Sequence, residues 1–390
     1  MNYSSSSCKF RPRIAWLFPS MARGFYWQPV LCEFTKMFPE TVVFTGCWPG
    51  FASGYDYSFT VKVIRKTRVF KTSSSSTGYD RVFMLPSLEV VPHLIRIKPQ
   101  VIFTSGFTLW TILVLLLKPW LRWRIVIVYD GSSPDIDTTD STLKLFVRRV
   151  IVRNVDAIIT NSNGGKDYLF KILGANDSRI FARPYQVPDI ATLLAHREAC
   201  KSHFQEMQRP IFLFAGQIIQ RKGLNLSLEA CSILQRWGYK NYTLLVVGDG
   251  PQRPELENLV KRSVLEGRVK WTGWVNYSQL GSYFRHADVL IFPTLADVWG
   301  MVVLEAMVFG MPILCSKWAG ANEMVINGEN GYIFDPYQPE QLAELMRRFI
   351  DNGTLVQWMG ARSKQIIAPH TPKAAAKHIT QVVRLVMRYD

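Results

Sequence analysis

Apolar runs of strand length alternate with helix-length segments along the first half of the chain. Five runs have the continuous apolar character of buried strands: residues 13–18, 40–46, 99–106, 124–131 and 155–162. They end in small or polar residues, and segments such as 143–153 between them are long enough to be helices. Strands that alternate with helices in this way predict a parallel sheet covered on both faces.

Two prolines interrupt the alternation in residues 184–189, which indicates a linker. The pattern then restarts in five further runs: residues 210–216, 242–250, 268–275, 287–294 and 311–316. The second series predicts a second parallel sheet, so we expect two facing Rossmann-like, doubly wound domains. Ligands of such sheets bind beyond the carboxyl ends of the strands, which here would line a cleft between the domains.

Composition agrees with two globular domains. The 390 residues are 48% hydrophobic and 13% aromatic, which is ample material for large cores. The longest apolar run, 109–117, is much shorter than the roughly 20 residues of a transmembrane helix, so none is expected. The polar N-terminal segment lacks the apolar core of a signal peptide. Six scattered cysteines without a CxxC pair suit a reduced cytoplasm better than a disulfide framework or a zinc site.

The net charge of +16 is concentrated in the first half of the chain, where residues 1–200 carry +11. A basic excess in one half indicates an anionic partner there: a membrane surface, a nucleic acid or a polyanionic substrate. The alternative is charge that only serves solubility.

Two acidic residues flank a glycine where an apolar run meets a predicted helix. Asp297 falls in the loop, Gly300 at the helix start, and Glu305 inside the helix. A glycine lets the backbone approach a ligand, and a helix start offers free N–H groups and positive dipole to an anion. The two acids are therefore able to touch different parts of one extended ligand whose phosphates lie at the helix start. The alternative is an N-capping Asp and a structural Glu.

A basic turn precedes another predicted helix in the same half. Gly216 ends a predicted strand, and Arg221 and Lys222 open the helix that follows. A lysine in this place can reach a diphosphate as a point charge, although a solvated basic turn would look the same. A third glycine turn, residues 248–251, also ends a strand and is weak evidence alone.

In this order, the motifs resemble those of retaining glycosyltransferases of family 4, the group 1 glycosyltransferases with the GT-B fold. The resemblance is nearly continuous over residues 212–336, whereas the N-terminal half matches in outline only. The matching motifs are a G-x-x-x-x-x-K-G turn at 216–223, GDGP at 248–251, TGWV at 272–275, ADVLIFPT at 287–294, an acid-x7-acid motif at 297–305, and AGANEMVINGENGYIF at 319–334.

The resemblance implies a hexosyltransferase-type enzyme of class EC 2.4 that uses a UDP- or GDP-type nucleotide-sugar. It implies an acceptor-binding domain in residues 1–190 and a nucleotide-sugar-binding domain in residues 191–370. Residues 371–390 would form a helix that packs back on the N-terminal domain. The implied acceptor is a lipid-linked or saccharide intermediate of cell-envelope polysaccharide synthesis, at the inner face of the cytoplasmic membrane.

The resemblance also implies roles for single residues of the donor site. Glu305 would hold the ribose hydroxyls, and Asp297 would bind hydroxyls of the donor sugar. Lys222 would neutralise the leaving diphosphate, together with the backbone N–H groups of Gly300, Met301 and Val302.

Two more residues have implied roles at the edge of the site. Gly24, after the first predicted strand, would let the N-terminal domain close over the phosphates. Trp274 would lie near the base, or else would be an ordinary exposed or core tryptophan.

The sequence departs from the family pattern at three positions. The first acid is Asp297 where Glu is usual, so the sugar pocket is expected to differ. After Gly216, the usual arginine is Gln217, which leaves Lys222 and Arg221 to supply the positive charge. A strand that often ends in His ends here with Asp130, which would polarise the acceptor hydroxyl, bind a sugar hydroxyl, or only cap a turn.

A D-x-D triplet at residues 135–137 would bind a divalent metal in another glycosyltransferase fold. We interpret it here as an exposed acidic loop, because the acid-x7-acid motif belongs to the fold with two Rossmann-like domains. No cluster of His, Cys and Asp has metal-ligand spacing. We therefore expect a metal-independent enzyme without a cofactor.

Two stretches of the N-terminal half mix basic with bulky residues: 61–71 and 115–124. Trp, Leu and Arg side by side suit the headgroup region of a bilayer, which favours a peripheral membrane contact. The alternative is that 109–117 is a buried helix and 61–71 a strand with a basic outer face.

Two other functions are less favoured. Nucleic-acid binding lacks a recognised motif and an interleaved basic and aromatic groove. A nucleotide-sugar 2-epimerase with the same two domains would lack the acid-x7-acid context.

Overall fold

The architecture was determined from a computed structural model. It describes residues 11–22, 24, 26–64, 68–74, 80–133, 137, 141–195 and 202–388. Within this part of the chain, no helix is long and apolar enough to cross a membrane.

The N-terminal domain is built on a parallel sheet of seven strands in the order β3-β2-β1-β6-β7-β8-β9. A separate antiparallel hairpin consists of β4 and β5. The strands are β1 (Ile14–Phe18), β2 (Thr41–Thr45), β3 (Thr60–Val63), β4 (Arg68–Ser74), β5 (Asp80–Leu85), β6 (Val101–Ser105), β7 (Arg124–Tyr129), β8 (Ala157–Thr160) and β9 (Ile180–Ala182). All five strands predicted for this half are confirmed.

The alternative interpretation of residues 61–71 as one strand is wrong. The edge strand β3 ends at Val63, and the hairpin strand β4 begins at Arg68, with residues 65–67 outside the described part. The prediction failed because basic and bulky residues continue through both strands without a glycine or proline to mark the break.

Helices cover both faces of the N-terminal sheet, which is why its central strands are apolar throughout rather than alternating. These helices are α1 (Trp27–Met37), α2 (Val90–Ile97), α3 (Leu109–Leu121), α4 (Thr142–Asn154) and α5 (Asn163–Asp167). The segment predicted as a helix at 143–153 is α4.

The C-terminal domain has a second parallel sheet, of six strands in the order β12-β11-β10-β13-β14-β15. Its strands are β10 (Ile211–Ala215), β11 (Thr243–Val247), β12 (Val269–Gly273), β13 (Val289–Phe292), β14 (Ile313–Ser316) and β15 (Gly331–Phe334). The five strands predicted for this half are confirmed, and β15 is an addition. The two sheets give the chain the two-domain architecture expected from the sequence.

The helices from the linker onward are α6 (Ile190–Ala195), α7 (Ser202–Gln205), α8 (Leu224–Arg236), α9 (Arg253–Arg262), α10 (Tyr277–His286), α11 (Met301–Val308), α12 (Pro339–Asp351), α13 (Thr354–Ile367) and α14 (Pro372–Arg388). Helix α14 lies against α1 of the N-terminal domain, where Thr380 contacts the sulfur of Met37 at 3.4 Å. The last helix therefore ties the two domains together.

The domains also meet through an apolar core that is continuous from one to the other. At its centre, the ring of Trp27 stacks on the linker residue Tyr185, with centroids 4.8 Å apart. The indole N–H of Trp299, from the C-terminal domain, donates to the carbonyl of Gln186 at 2.9 Å. This core fixes how the carboxyl edges of the two sheets face each other.

A polar contact crosses between the domains at their surface. The carboxylate of Glu323 accepts hydrogen bonds from the backbone and side-chain N–H groups of Asn163 at 2.9 and 3.0 Å, and from the backbone of Gly164 at 3.0 Å. The start of α5 in one domain is thus capped by a carboxylate from the other.

Candidate active site

The carboxyl end of β13 turns into α11 through a loop that places an acid beside a helix start. Gly300 precedes the first residue of α11 and has φ +107°, a conformation that side chains rarely adopt. A Cβ at this position would lie 2.7 Å from the ring of Phe292. Glycine is therefore required for the helix to begin this close to the strand, with the N–H groups of Met301 and Val302 at its free end.

The loop acid is held by the basic turn that was singled out in the sequence. Lys222 Nζ lies 2.5 Å from Asp297 Oδ2, and Arg221 Nη1 lies 3.4 Å from the same oxygen. Arg221 also donates to the carbonyl of Ala296 at 2.9 Å. All three charged side chains are largely buried, so their interaction is only weakly screened by water.

The acid of this cluster is ionised. Burial alone would raise the pKa of Asp297, but the charges and hydrogen bonds of Lys222, with Arg221, outweigh burial and hold the pKa below its ordinary value. The ammonium of Lys222 also lies 5.1 Å from the ring centroid of Phe292, a cation–π distance. Asp297 engages one of three ammonium hydrogens, which leaves donors for an anion.

Backbone contacts explain why the basic turn and the acidic loop stay together. The carbonyl of Arg221 accepts from Leu295 N at 2.8 Å and from Thr294 Oγ1 at 3.0 Å. Trp299 N donates to Asp297 Oδ1 at 3.3 Å. Asp297 therefore makes both kinds of contact: one oxygen accepts from the backbone before the helix, as in the capping alternative, and the other forms the ion pair.

The second acid, Glu305, is buried one turn into α11 and accepts a hydrogen bond from Tyr277 Oη at 2.9 Å. Burial raises the pKa of Glu305 to about 7, and the Tyr277 hydrogen bond opposes that rise. Among the described residues, no cation pairs with this carboxyl. The Glu305 carboxyl therefore has a free acceptor beside the helix start. It gains or loses its proton near neutral pH.

Tyr277 was missed by sequence reasoning. A reciprocal capping box between Asn276 and Gln279 starts α10 at this residue, and so fixes where the tyrosine ring emerges. The signal was available, because an Asn followed three residues later by Gln marks a helix start. The sequence does not predict, however, how close the start of α10 lies to α11, and therefore does not predict the contact of Tyr277 with Glu305.

The remaining predicted donor residues lie at strand ends in different surroundings. Gly216 directly follows β10 and donates its N–H to the carbonyl of Val247 at 2.9 Å, and the adjacent Gln217 is exposed. Trp274 is largely exposed after β12, and within the described residues it makes no hydrogen bond or ring contact with the acids or the basic turn. Gly24 lies in the turn before α1, bonded to Met21 O at 2.9 Å.

The N-terminal domain brings Asp130 to the same cleft. Asp130 follows β7, and its carboxylate accepts from Tyr185 Oη at 2.9 Å. The next residue, Gly131, has φ +149°, and a Cβ there would lie 2.4 Å from the carbonyl oxygen of Val298. Because Val298 follows Asp297 directly, the loop of the C-terminal domain and the strand end of the N-terminal domain are in contact.

The surroundings of Asp130 disfavour its charge. Burial raises the pKa of this carboxyl, and hydrogen bonds from Tyr185 and Gln186 oppose the rise. Asn161 holds the backbone of the same residue by donating to its carbonyl at 2.8 Å. Asp130 is thus a rigidly placed acceptor rather than an exposed turn cap.

The D-x-D triplet is only partly described, because Asp135 and Ile136 lie outside the described residues. Asp137 is half-buried and accepts from Tyr129 Oη at 2.6 Å and from Ser132 Oγ. The prediction of an exposed acidic loop is therefore wrong for Asp137, which closes a turn next to β7. No group of three His, Cys, Asp or Glu residues that could hold a metal ion occurs in the described part of the chain.

Comparisons of the sequence and of the fold with known proteins point to glycosyltransferases. Residues 196–366, which contain the ion pair and both acids, match the family model "Glycosyl transferases group 1". The HepE protein of Anabaena, solved in complex with UDP, superposes with a TM-score of 0.73 over 95% of this chain and 99% of its own, at 18% identity. The chain has the GT-B fold.

Other GT-B proteins give similar results. The glycosyltransferase WaaG, involved in lipopolysaccharide biosynthesis, superposes with a TM-score of 0.63 over 94% of this chain and 99% of its own, at 17% identity. Two enzymes of Streptomyces kanamyceticus are similar in sequence. An alpha-D-kanosaminyltransferase is 25% identical over 63% of this chain and 64% of its own length, and a 2-deoxystreptamine glucosyltransferase is 30% identical over 58% and 59%. The chain thus matches about three fifths of the length of these relatives.

Proposed function

We propose that this protein is a retaining glycosyltransferase that moves a sugar from a UDP- or GDP-type nucleotide-sugar to a hydroxyl acceptor. One observation carries the proposal: the ion pair of Lys222 and Asp297 stands at the start of α11, one turn before the buried Glu305. A nucleoside diphosphate sugar contains a ribose, a diphosphate and a sugar linked in this order. The cluster offers a hydrogen-bonding or charged partner for each of these three groups. The group 1 family match of this domain supports the same reaction.

In this proposal, each side chain meets one part of the donor. Glu305 accepts hydrogen bonds from the ribose hydroxyls, and Asp297 accepts from hydroxyls of the sugar. Lys222, with the N–H groups of Gly300, Met301 and Val302, binds the diphosphate. Arg221 supports Lys222 from within the buried cluster, and the proposed donor site is completed at its rim by Gly216, Gln217, Trp274 and Gly24.

The proposed chemistry follows from the charges that develop. The bond between the anomeric carbon and the diphosphate oxygen breaks, and its electron pair leaves with the phosphate. The acceptor hydroxyl forms the new bond on the same face of the sugar, and its proton passes to the leaving phosphate. Lys222 and the helix start stabilise the negative charge that accumulates there, the kind of effect that contributes most in many active sites.

No protein base is needed for such a same-face reaction. We propose that Asp130 positions rather than deprotonates, by accepting a hydrogen bond from the acceptor or from a sugar hydroxyl across the cleft. Since Lys222 and the helix dipole supply the positive charge, the reaction is proposed to need neither a metal ion nor a cofactor.

For the acceptor, we propose a lipid-linked or saccharide intermediate of cell-envelope polysaccharide synthesis, used at the inner face of the cytoplasmic membrane. The basic N-terminal domain supports this choice, and so does the similarity in fold to WaaG, which is involved in lipopolysaccharide biosynthesis. The similarity to a 2-deoxystreptamine glucosyltransferase favours a small acceptor of that kind instead. A panel that contains both classes separates the two.

Donor binding is tested by titrating the protein with UDP, GDP, ADP and their sugar conjugates in a calorimeter. One nucleotide class should bind, and Glu305→Ala should weaken binding by about 10- to 100-fold, the value of hydrogen bonds to a charged group. The exposed Glu340→Ala is the matched control and should bind normally. Equal loss in both variants, or no binding by any nucleotide, would refute the proposed donor site.

The chemical step is tested with labelled donor, by following hydrolysis and transfer. Lys222→Met should lower kcat by about 100- to 1,000-fold, as loss of a group that stabilises developing negative charge does elsewhere. Lys270→Met, at an exposed position of β12, should leave kcat unchanged. A Lys222→Met enzyme with normal turnover would contradict the mechanism.

A further inference from the structure

An apolar groove separates α3 from α4 on the outside of the N-terminal domain. Its volume is about 910 Å³, and apolar side chains of both helices form most of its walls. The principal lining residues are Ile112, Leu115 and Leu116 of α3 and Phe146, Val147 and Val150 of α4. None of the residues assigned to the donor site lines it.

The walls of the groove continue into apolar side chains that face solvent. Leu116 and Trp120 are one helical turn apart on α3, and Trp120 is 77% exposed. Leu143, Phe146 and Val150 form a matching stripe on α4, where Phe146 is 64% exposed. Contiguous exposed apolar side chains of this kind mark an interaction surface.

The same two helices are strongly basic. Together they carry five basic residues and no acidic one: Lys118, Lys144, Arg148, Arg149 and Arg153. Lys118 pairs with Asp156, whereas Lys144 and Arg153 are exposed. Arg122, directly after α3, adds a further exposed cation at the rim. An apolar groove with a positive rim complements a partner that has an apolar layer for the groove and anionic groups above that layer for the cations.

We propose that α3 and α4 dock on an anionic phospholipid bilayer and that a phospholipid acyl chain enters the groove between them. Trp120, Leu116 and Phe146 would sink to the level of the acyl chains. The exposed cations beside them would reach the lipid phosphates. A water-soluble protein partner would also cover apolar side chains, but it would not account for two neighbouring helices without a single acid.

The orientation of the helices links this surface to the cleft. Helix α3 begins after the carboxyl end of β6 and α4 after that of β7, which is the sheet edge that carries Asp130. Each helix has 13 residues, or about 20 Å of length. A bilayer lying along them reaches the cleft edge of the domain. If the proposed glycosyl transfer is correct, a lipid-borne acceptor would then present its head group to the site.

The test is flotation of the full chain with vesicles, without nucleotide or sugar. Vesicles of phosphatidylcholine with phosphatidylglycerol should carry the protein upward, and vesicles of phosphatidylcholine alone should carry much less. Trp120→Ser and Phe146→Ser should each lower the partition coefficient by about tenfold, the effect of withdrawing one large apolar side chain. Trp358→Ser is the matched control, since Trp358 is 57% exposed on α13 of the other domain, and it should bind normally.

The contribution of the cations is tested with Lys144→Gln and Arg153→Gln. Each should weaken vesicle binding several-fold at low salt and have little effect at high salt. Thermal unfolding of every variant checks that the fold is retained. No flotation of the wild type, or equal loss with Trp358→Ser, would overturn the proposal. So would a stable dimer that Trp120→Ser dissociates, because a second copy would then be the occupant. Nucleotide titration is independent, so failure of flotation and failure of the proposed donor site are distinguishable.

Discussion

Replacing the buried carboxyl of Glu305 by an amide should make the protein more stable at neutral and higher pH while it weakens donor binding. The Glu305→Gln variant keeps the shape of the side chain and an oxygen that accepts the Tyr277 hydrogen bond. It removes the charge and replaces the second carboxylate oxygen by an amide NH2 group. The variant therefore separates what this carboxyl does for the fold from what it does for the site.

The magnitude follows from the pKa. Burial raises the pKa of Glu305 from its ordinary value of 4.5 to about 7. Between these two values, the folded protein holds a proton that the unfolded chain has lost, so its stability falls as the pH rises through this window. One pKa unit corresponds to about 1.4 kcal/mol, which gives a cost of about 3 kcal/mol above pH 7. The amide escapes this cost.

The assay is urea unfolding of wild type and variant over a pH series from below 4.5 to above 7. The difference in unfolding free energy should be near zero at the acid end, grow through the window, and become constant above it. In parallel, nucleotide titration of the variant should show weak binding at every pH. A difference that is independent of pH, or a variant that is less stable above pH 7, would refute the reasoning.

Three further predictions concern neighbouring residues. Tyr277→Phe removes a hydrogen bond that lowers the pKa of Glu305, so the pH at which nucleotide affinity is half-maximal should move upward; an unchanged profile would contradict this. Gly300→Ala forces a side chain against Phe292 and should lower the unfolding free energy by about 2 kcal/mol or more, whereas Gly353→Ala, in open space, should not. Glu323→Ala loses the three hydrogen bonds that cap α5 from the other domain and should lower the unfolding free energy by about 1 kcal/mol; an unchanged free energy would count against this contact.

Most of the fold was predictable because central parallel strands are buried on both faces. Their apolar runs, as in β7 and β11, are uninterrupted and end in polar or glycine-containing turns. The edges were not predictable for the opposite reason. Edge strand β3 has only exposed and half-buried residues, so no periodic pattern distinguishes it from a basic loop. The β4–β5 hairpin has the same basic and bulky composition in sequence, which hides the turn between β3 and β4.

The candidate site was predictable as a set of residues but not as a set of contacts. Spacing alone brought Asp297, Gly300 and Glu305 to one strand end, since strand, loop and helix follow each other directly. The pairing of Lys222 with Asp297 depends on β10 and β13 being neighbours in the sheet, which is a matter of strand order. The contact of Gly131 with Val298 depends on how two domains meet, and no local pattern encodes that distance.

The position of α14 also governs the order in which the protein can assemble during synthesis. The ribosome synthesises α1 early. Helix α14, which covers one face of α1, is synthesised more than 340 residues later. Until then, the N-terminal domain emerges from the ribosome with an apolar face open to water, a state prone to association with other chains. Translation must therefore proceed through residues 372–388 before the first domain is closed, although the second domain is complete earlier.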